Sequence, residues 1–434
     1  MKLAQNKINI GVIGFGTIGS SVVKLLLERR LIFRERTLID LNLAVVCDKD
    51  LRSKRDVLVP KAMMTDDVEK VITDPSIDVV VELIGGIHPA KEIVVRALGL
   101  GKHVVTANKL LLATEGEGIF KKAEEAGKEI LFEASVGGGI PIIKSIREGM
   151  IGNTFHSIFG ILNGTSNYIL SRMSSEGYPF KKALEEVQLK GYAEKDPSLD
   201  IKGRDSAHKL AILSSLAFGK RVNIKDIYVE GISGISPFDI QYAKEMGYVL
   251  KLLAIAKRDG ESLEVRVHPT LLPEEHLMSS VSGVYNAIFV DADLVGKQLF
   301  YGEGAGKLPT ASAILSDIMD IAYTIAYGRI PGKFAVPARS EIKNIKRIEE
   351  VYMKYYVHFS AIDKPGVLAK IAHLLGKNNI SIASVVQKER REASIVPVIM
   401  LTHAAKEKDM QEALKSIDKL PAIKRKSVLI RVEK

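Results

Sequence analysis

The chain has 434 residues, of which 46% are hydrophobic and 26% are charged, a balance that excludes extensive disorder and indicates several folded domains. The net charge is +10 with no Trp, but Lys and Arg alternate with Asp and Glu, so we expect no nucleic-acid partner. No apolar run is long enough to cross a membrane, and we expect no membrane partner. The single cysteine, Cys47, excludes an intrachain disulfide and predicts a cytoplasmic protein.

Strands and helices alternate over residues 1–133. We predict strands at 8–13, 42–47, 78–84, 103–106 and 130–133, and helices at 18–30, 89–100 and 115–126. The continuous apolar run within 78–84 is typical of a strand covered by helices on both faces. Residues 1–133 are therefore predicted to form an α/β domain with a doubly wound, Rossmann-type parallel sheet.

A glycine-rich turn joins the first strand to the first helix, and it consists of Gly14, Phe15, Gly16, Thr17, Ile18 and Gly19. This spacing permits a tight turn and lets a pyrophosphate approach the free N–H groups of the helix. The alternative is a glycine turn that serves packing alone. Asp48 favours NAD at the end of the second strand, whereas Lys49 favours the 2′-phosphate of NADP. We expect NADP bound through Lys49, with NAD also used.

The pattern changes over residues 134–340. Helices are predicted near 141–150, 163–175, 179–189, 203–218 and 308–327, and they mix with strands such as 263–268. We interpret this region as an α+β domain for substrate binding, catalysis and oligomerisation. Residues 329–346, with Pro331 and Pro337, are predicted to be a linker. Residues 351–434 follow the order βαββαβ, which is ferredoxin-like, with the first strand predicted at 352–362 and the second helix near 407–417.

Acidic residues precede a lysine in the second region. Asp205 and Lys209 are separated by one helical turn and share a helix face, with Asp205 in the first turn where the helix dipole favours it. Glu194, Asp196 and Asp200 come just upstream. The alternative is a surface salt bridge worth well under about 1 kcal/mol. Several carboxylates near one lysine instead suit a zwitterionic amino acid.

Five motifs lead to a family. They are Thr106-Ala-Asn-Lys109, Glu133-Ala-Ser-Val-Gly-Gly-Gly-Ile-Pro141, Asn163-Gly-Thr-Ser-Asn-Tyr168, the block from Gly191 to Lys209, and Gly302-Glu-Gly-Ala-Gly306. Together they resemble homoserine dehydrogenase as far as about residue 330.

The resemblance implies interconversion of L-homoserine and L-aspartate 4-semialdehyde, in threonine, methionine and isoleucine biosynthesis. Lys209 is the expected acid or base, assisted by Lys109, and Asp205 is the third expected catalytic residue. The expected substrate-binding residues are Glu194, Asp200 and Asp205. Further cofactor contacts are expected at Thr106, Lys109, Gly191, Glu194 and Gly306.

The bend from Glu133 to Ile140 has carbonyls that cannot all pair in a sheet, so it suits a hard cation with oxygen ligands. The resemblance implies a monovalent ion, sodium, held by Glu133 and the backbone of Val136, Gly138 and Ile140. The alternative is a plain domain-crossing turn.

Asp363-Lys-Pro-Gly-Val-Leu368 lies between a predicted strand and helix and looks like the start of an ACT domain. The resemblance implies an amino-acid effector, threonine by the logic of the reaction, with Asp363, Gly366 and Asn379 as the regulatory positions. The alternative is a dimerisation module without a ligand. The resemblance to homoserine dehydrogenase also implies a homo-oligomer.

Two other functions stay open at this point. One is a sensor that keeps the Rossmann fold without catalysis, and the other is a dehydrogenase acting on another amino acid. Enzymes that oxidise aldehydes through a thiolate are excluded, because Cys47 ends the second strand and the second region has no cysteine.

Overall fold

The computed structural model describes residues 6–328, 340–387 and 395–433. The chain forms two compact units. The first contains Met1–His156, His208–Ile224 and Asn286–Glu341, and the second contains Ser157–Ala207, Lys225–Tyr285 and Ile342–Lys434. The predicted domain boundaries at 133/134 and 340/351 do not coincide with these units, because each unit collects segments that are distant in sequence.

The first unit is built on a parallel sheet with strand order β3-β2-β1-β4-β5-β6. This order confirms the Rossmann-type fold. Its elements are β1 (Asn6–Ile13), α1 (Thr17–Glu28), α2 (Arg30–Thr37), β2 (Ile39–Cys47), β3 (Met64–Thr65), α3 (Glu69–Ile72), β4 (Val79–Glu82), α4 (Ala90–Gly99), β5 (His103–Thr106), α5 (Lys109–Ala126), β6 (Ile130–Leu131), α6 (Ile142–Lys144), β11 (Tyr285–Ala292), β12 (Gly296–Glu303) and α12 (Lys307–Tyr327).

A late helix completes the core of this unit. The buried face of α12, which includes Ile314 and Ile318, joins the same apolar cluster as Val22 and Leu26 of α1 and the strands of the sheet. These four side chains are almost completely buried, and burial of each contributes about 1.5–3 kcal/mol. The sheet is therefore stabilised by a helix that lies some 170 residues beyond its last strand in sequence.

The second unit contains β7 (Phe155–Ile161), α7 (Gly164–Glu176), α8 (Phe180–Leu189), α9 (Ser198–Ile201), the first turn of α10 (Arg204–Phe218), β8 (Tyr228–Val229), α11 (Pro237–Glu245), β9 (Tyr248–Asp259), β10 (Ser262–Pro273), β13 (Asn344–Ile345), β14 (Tyr352–Ile362), α13 (Val367–Lys377), β15 (Ile382–Val386), β16 (Ile395–Thr402), β17 (Ala405–Lys406), α14 (Glu407–Ile417) and β18 (Val428–Val432). Its sheet has the order β7-β9-β10-β18-β14-β16-β15. The four strands from β18 to β15 and their two helices confirm the predicted βαββαβ order.

The C-terminal domain is joined to the rest of the second unit through this sheet. Strand β18 pairs in parallel with β10, with Thr270 opposite Arg431 and Leu271 opposite Val432. The predicted linker is partly wrong, because Asn344–Ile345 forms β13 and pairs with β10. Pro331 and Pro337 lie outside the described residues. None of the described helices has the length and apolar character needed to span a membrane.

Candidate active site

The three motif glycines meet different constraints in the loop between β1 and α1. Gly14 has φ +102°, and a Cβ there would lie 2.7 Å from the backbone of Leu83. A Cβ at Gly19 would lie 1.9 Å from the carbonyl oxygen of Gly14, whereas one at Gly16 would meet nothing within 4 Å. Gly14 therefore makes the turn, Gly19 lets the helix pack on it, and Gly16 leaves the backbone open to a pyrophosphate. A glycine turn that served packing alone would not require a glycine at position 16, because a Cβ there would meet nothing within 4 Å.

We expect Gly19→Ala to weaken cofactor binding at least tenfold, because the loop must move to relieve the clash with Gly14. Gly118→Ala is the matched control, since Gly118 lies in α5 with nothing within 4 Å of its Cβ position. Fluorescence titration with NADPH and NADH measures the effect. Equal affinity in the two variants would contradict the assigned role of Gly19.

A cavity of about 290 Å³ lies beside this loop and is lined by Gly14, Gly16, Cys47, Asp48 and Lys49, among others. The Asp48 carboxylate accepts hydrogen bonds from the backbone N–H groups of Phe15 and Asp50. The Lys49 side chain is exposed at the rim. Burial raises the pKa of the Cys47 thiol to about 11, so it stays protonated at neutral pH and is a poor nucleophile.

The Thr106–Lys109 motif fixes the edge of the sheet next to this cavity. The Thr106 hydroxyl is fully buried and donates to Glu82 at 2.7 Å, so its side chain holds the loop; its predicted contact with the cofactor stays a prediction. Asn108 accepts from Leu111 N and so caps α5, and its amide donates to the Gly86 carbonyl. This cap starts the helix at Lys109, six residues earlier than predicted. Glu82 was missed by the sequence analysis.

Helix α10 carries the predicted acid–base pair. It begins at Arg204, which places Asp205 in its first turn and Lys209 one turn further on. Asp205 is 6% exposed and Lys209 is 7% exposed. The alternative of a surface salt bridge is therefore wrong. Lys109, the first residue of α5, is half-buried, and the meeting of the two ammonium groups stays a prediction.

Asn163 joins two of the predicted substrate carboxylates. Its Nδ2 donates to Asp200 at 2.6 Å and to Asp205 at 2.9 Å, while its Oδ1 accepts from Ser166 N and caps α7. Glu194 is exposed and Gly191 ends the turn after α8 with φ +74°, so their predicted contacts with substrate and cofactor stay predictions. The motif that begins at Asn163 is recognisable in the sequence, but its spacing alone gives Asn163 no role.

The turn from Glu133 to Ile140, predicted to bind a cation, does not begin at the end of a strand as expected. Glu133 lies in a 3₁₀ turn, and its carboxylate accepts from Ile143 N at 2.9 Å and Lys144 N at 2.7 Å. Burial raises its pKa to about 7. This carboxylate caps the helix that follows with one hydrogen bond to each oxygen, and the predicted role of Glu133 at a cation stays a prediction. The Ile140 carbonyl accepts from Ile142 N at 2.8 Å.

Oxygen-rich surroundings at this turn fit a monovalent cation. Among the described residues, no group of three or more His, Cys, Asp or Glu side chains could hold a metal, so a cation here depends on carbonyls such as those of Val136 and Gly138. The Ser135 hydroxyl and the Asn286 amide are buried without a partner within the described part of the chain. Both offer oxygen ligands of the kind that hard cations prefer.

Two motifs that are distant in sequence interlock here. A Cβ at Gly138 would lie 2.6 Å from the Gly304 backbone, and one at Gly304 would lie 2.1 Å from the Asn286 amide. Gly139 N donates to the Glu303 carbonyl at 3.1 Å. Gly306, with φ +124°, starts α12 directly afterwards. Gly138 and Gly304 are therefore required at these positions, since the two backbone segments lie too close together for a side chain between them.

The three predicted regulatory positions do not share one place. Asp363 and Gly366 precede α13, with Gly366 at φ +86°. Asn379 follows this 11-residue helix, with φ +58°. A helix of that length separates its ends by roughly 16 Å. A small ligand cannot contact Gly366 and Asn379 of one chain together.

The fold and the glycine loop define the class: an NAD(P)-dependent oxidoreductase with a C-terminal ACT domain. Family models match in the same order. The model described as homoserine dehydrogenase, NAD binding domain, covers residues 14–133, the homoserine dehydrogenase model covers 141–319, and the ACT domain model covers 355–422. The chain belongs to the homoserine dehydrogenase family.

Relatives cover almost the whole chain. A homoserine dehydrogenase of Neisseria gonorrhoeae is 42% identical over 98% of both chains, and one of a Synechocystis species is 41% identical over 98% of this chain and 99% of its own. A crystal structure of a homoserine dehydrogenase from Thiobacillus denitrificans matches with TM-score 0.91 at 40% identity, covering 99% of this chain and 100% of its own. A hyperthermophilic archaeal homoserine dehydrogenase in complex with NADPH matches 73% of this chain and 98% of its own, with TM-score 0.61 and 25% identity.

Proposed function

We propose that the protein interconverts L-homoserine and L-aspartate 4-semialdehyde, in the biosynthesis of threonine, methionine and isoleucine. The observation that supports this most directly is a carboxylate pair, the buried Asp205 and the half-buried Asp200, joined by Asn163. Such an anionic pair recognises an ammonium group, which both compounds carry. Asp205 also lies one turn before the buried Lys209 on α10, so the ammonium recognition group and the proposed acid share a helix face.

The nicotinamide cofactor supplies or accepts the hydride when it is bound. Reduction of the aldehyde makes an alkoxide, and the Lys209 ammonium donates the proton that this oxygen needs. Lys109 stabilises the developing negative charge. In the oxidative direction the neutral Lys209 amine takes the hydroxyl proton. Glu194, Asp200 and Asp205 hold the substrate ammonium.

For the cofactor we propose NADP, with NAD as a second substrate. Both Asp48 oxygens already accept backbone N–H groups of the loop, which leaves the carboxylate less available for a ribose 2′-hydroxyl. The exposed Lys49 ammonium at the rim can pair with a 2′-phosphate. The archaeal relative's complex with NADPH supports the same choice.

The remaining parts of the proposal concern ligands and location. A sodium ion is held by Glu133 and the backbone carbonyls of Val136, Gly138 and Ile140. Threonine, acting through the ACT domain, inhibits the enzyme. The single buried thiol supports a cytoplasmic location, because it can form no intrachain disulfide.

Homoserine-dependent reduction of NADP⁺ and NAD⁺, followed at 340 nm, tests the reaction and the cofactor preference together. We expect turnover with both cofactors and a lower KM for NADP⁺. Binding of NADPH without turnover would favour the non-catalytic sensor, and activity on a different amino alcohol would favour another dehydrogenase. Measuring the same activity after Na⁺ is replaced by a bulky organic cation then tests the proposed sodium site.

We also propose a homo-oligomer that forms through β12. This strand pairs with β11 and is the last strand of that sheet in the described part of the chain, and Leu299 and Tyr301 on it are exposed by 37% and 55%. An exposed edge strand with apolar side chains favours pairing with a second copy. We expect Tyr301→Lys to shift the chain towards monomer in sedimentation equilibrium, and an unchanged mass would refute this interface.

A further inference from the structure

We propose that the amino-acid effector binds in a cavity between β8 and the ACT domain, and that it acts on the substrate carboxylates through Glu230. This inference rests on the proposed amino-acid regulation and names its site. The cavity has a volume of about 370 Å³ and is lined by residues of β8, α14 and β18. Pockets for small ligands begin at about 300 Å³. The cavity lies apart from the loop before α13, where the regulatory positions were predicted.

The floor of this cavity is a buried arginine. Arg431 is 2% exposed, and its guanidinium donates to Glu407 at 2.7 and 3.0 Å, to Glu230 at 2.6 Å and to the Tyr228 hydroxyl at 3.0 Å. These bonds use four of its five N–H donors. The Glu230 side chain, in contrast, is 38% exposed. Glu230 is therefore the carboxylate of this network that a ligand can reach.

The other charged groups of the lining suit a zwitterion. Lys415 and Lys426 are exposed at the rim, and they can hold a carboxylate. Asp418 is half-buried and accepts from the Ser427 backbone and hydroxyl. A ligand ammonium can pair with Glu230 or Asp418, while leucines of α14 and β18 contact a small side chain. A small α-amino acid carries all three groups: an ammonium, a carboxylate and a short side chain.

A chain of direct contacts connects Glu230 to the substrate carboxylates. A Cβ at Gly231, the next residue, would lie 2.3 Å from the Ile201 carbonyl, and Ile232 N donates to the same carbonyl at 2.9 Å. Ile201 is adjacent to Asp200, which Asn163 ties to Asp205. A ligand ammonium that draws Glu230 from Arg431 therefore displaces residues 230–232, which contact Ile201 at the C-terminal end of α9. Displacement of Asp200 weakens substrate binding, so the inhibition raises the KM for homoserine.

The experiment uses the full chain and L-threonine as the probe, with L-isoleucine and L-methionine as alternatives. In the variant Lys415→Met/Lys426→Met we expect about tenfold or greater weakening of threonine binding by calorimetry, from the loss of charge-assisted hydrogen bonds. Its kcat and its KM without effector should be unchanged. Lys419→Met is the matched control, because Lys419 is exposed on the same domain and does not line the cavity.

A second variant separates binding from coupling. In Glu230→Gln we expect threonine to bind with altered affinity but to raise the KM for homoserine less than in the unmodified chain. The inference is overturned if the double lysine variant binds threonine as the unmodified chain does, or if Asp363→Asn or Asn379→Ala alone removes binding. In those two cases amino-acid regulation survives. If no amino acid binds the unmodified chain, regulation and the cavity site fail together, while the dehydrogenase assay stands on its own.

Discussion

Lys209→Met should lose turnover by roughly 10²- to 10⁴-fold, the usual contribution of a positioned acid or base. The side chain is 7% exposed and lies one turn after Asp205 on α10. Methionine keeps most of its volume and its helix propensity, so the fold should persist. The affinity for NADPH should also persist, because the glycine loop lies on another element. Steady-state kinetics in both directions and fluorescence titration measure these quantities.

Removing any buried ammonium could disturb the fold, and Lys102→Met controls for this. Lys102 is 5% exposed and donates to the carbonyls of Asp74 and Ile77. It precedes β5, at the end of the sheet opposite to the cofactor loop. We expect Lys102→Met to lower the melting temperature with little effect on kcat, the reverse of Lys209→Met. A near-normal kcat in Lys209→Met would refute its assignment as acid and base.

The folds of both ends of the chain could be predicted because their patterns are local. The C-terminal domain alternates period-2 strands with amphipathic helices between clear turns, and the predicted strand 352–362 and helix 407–417 match β14 and α14. Helix α2 was missed because none of its residues is buried, so it has no apolar stripe to detect. The early start of α5 could have been found, since Asn108 is a favoured capping residue.

The site could be predicted only as far as spacing along the chain allows. One turn of helix was enough to place Asp205 and Lys209 together. The contact of Gly138 with Gly304 and the bonds from Asn163 to Asp200 and Asp205 join residues far apart in sequence. No local pattern contains them. For Glu194, nearness in sequence suggested convergence with Asp200 and Asp205; its side chain is exposed, and its place at the site stays a prediction.

We expect Asn163 to be a positioning residue for the substrate carboxylates Asp200 and Asp205. Of the replacements of Asn163 by Asp, Ser or Ala, the change to Asp should reduce kcat/KM for homoserine most. The Asn163 amide nitrogen lies 2.6 Å from an Asp200 oxygen and 2.9 Å from an Asp205 oxygen. An aspartate there would place a third carboxylate against two others, and like charges at this distance repel strongly. The three groups would separate or take up a proton, and either change removes the anionic pair that binds the ammonium.

Serine and alanine at the same position separate the two roles of Asn163. Asn163→Ser keeps an oxygen that can cap α7 through Ser166 N, while Asn163→Ala loses it, so alanine should unfold more easily by about 1 kcal/mol. Both lose the amide donor, and two charge-assisted hydrogen bonds justify a loss of roughly 10- to 100-fold in kcat/KM. The loss should appear in the KM for homoserine, with the KM for NADP⁺ unchanged. A serine variant within twofold of the unmodified enzyme would show that Asn163 only caps the helix.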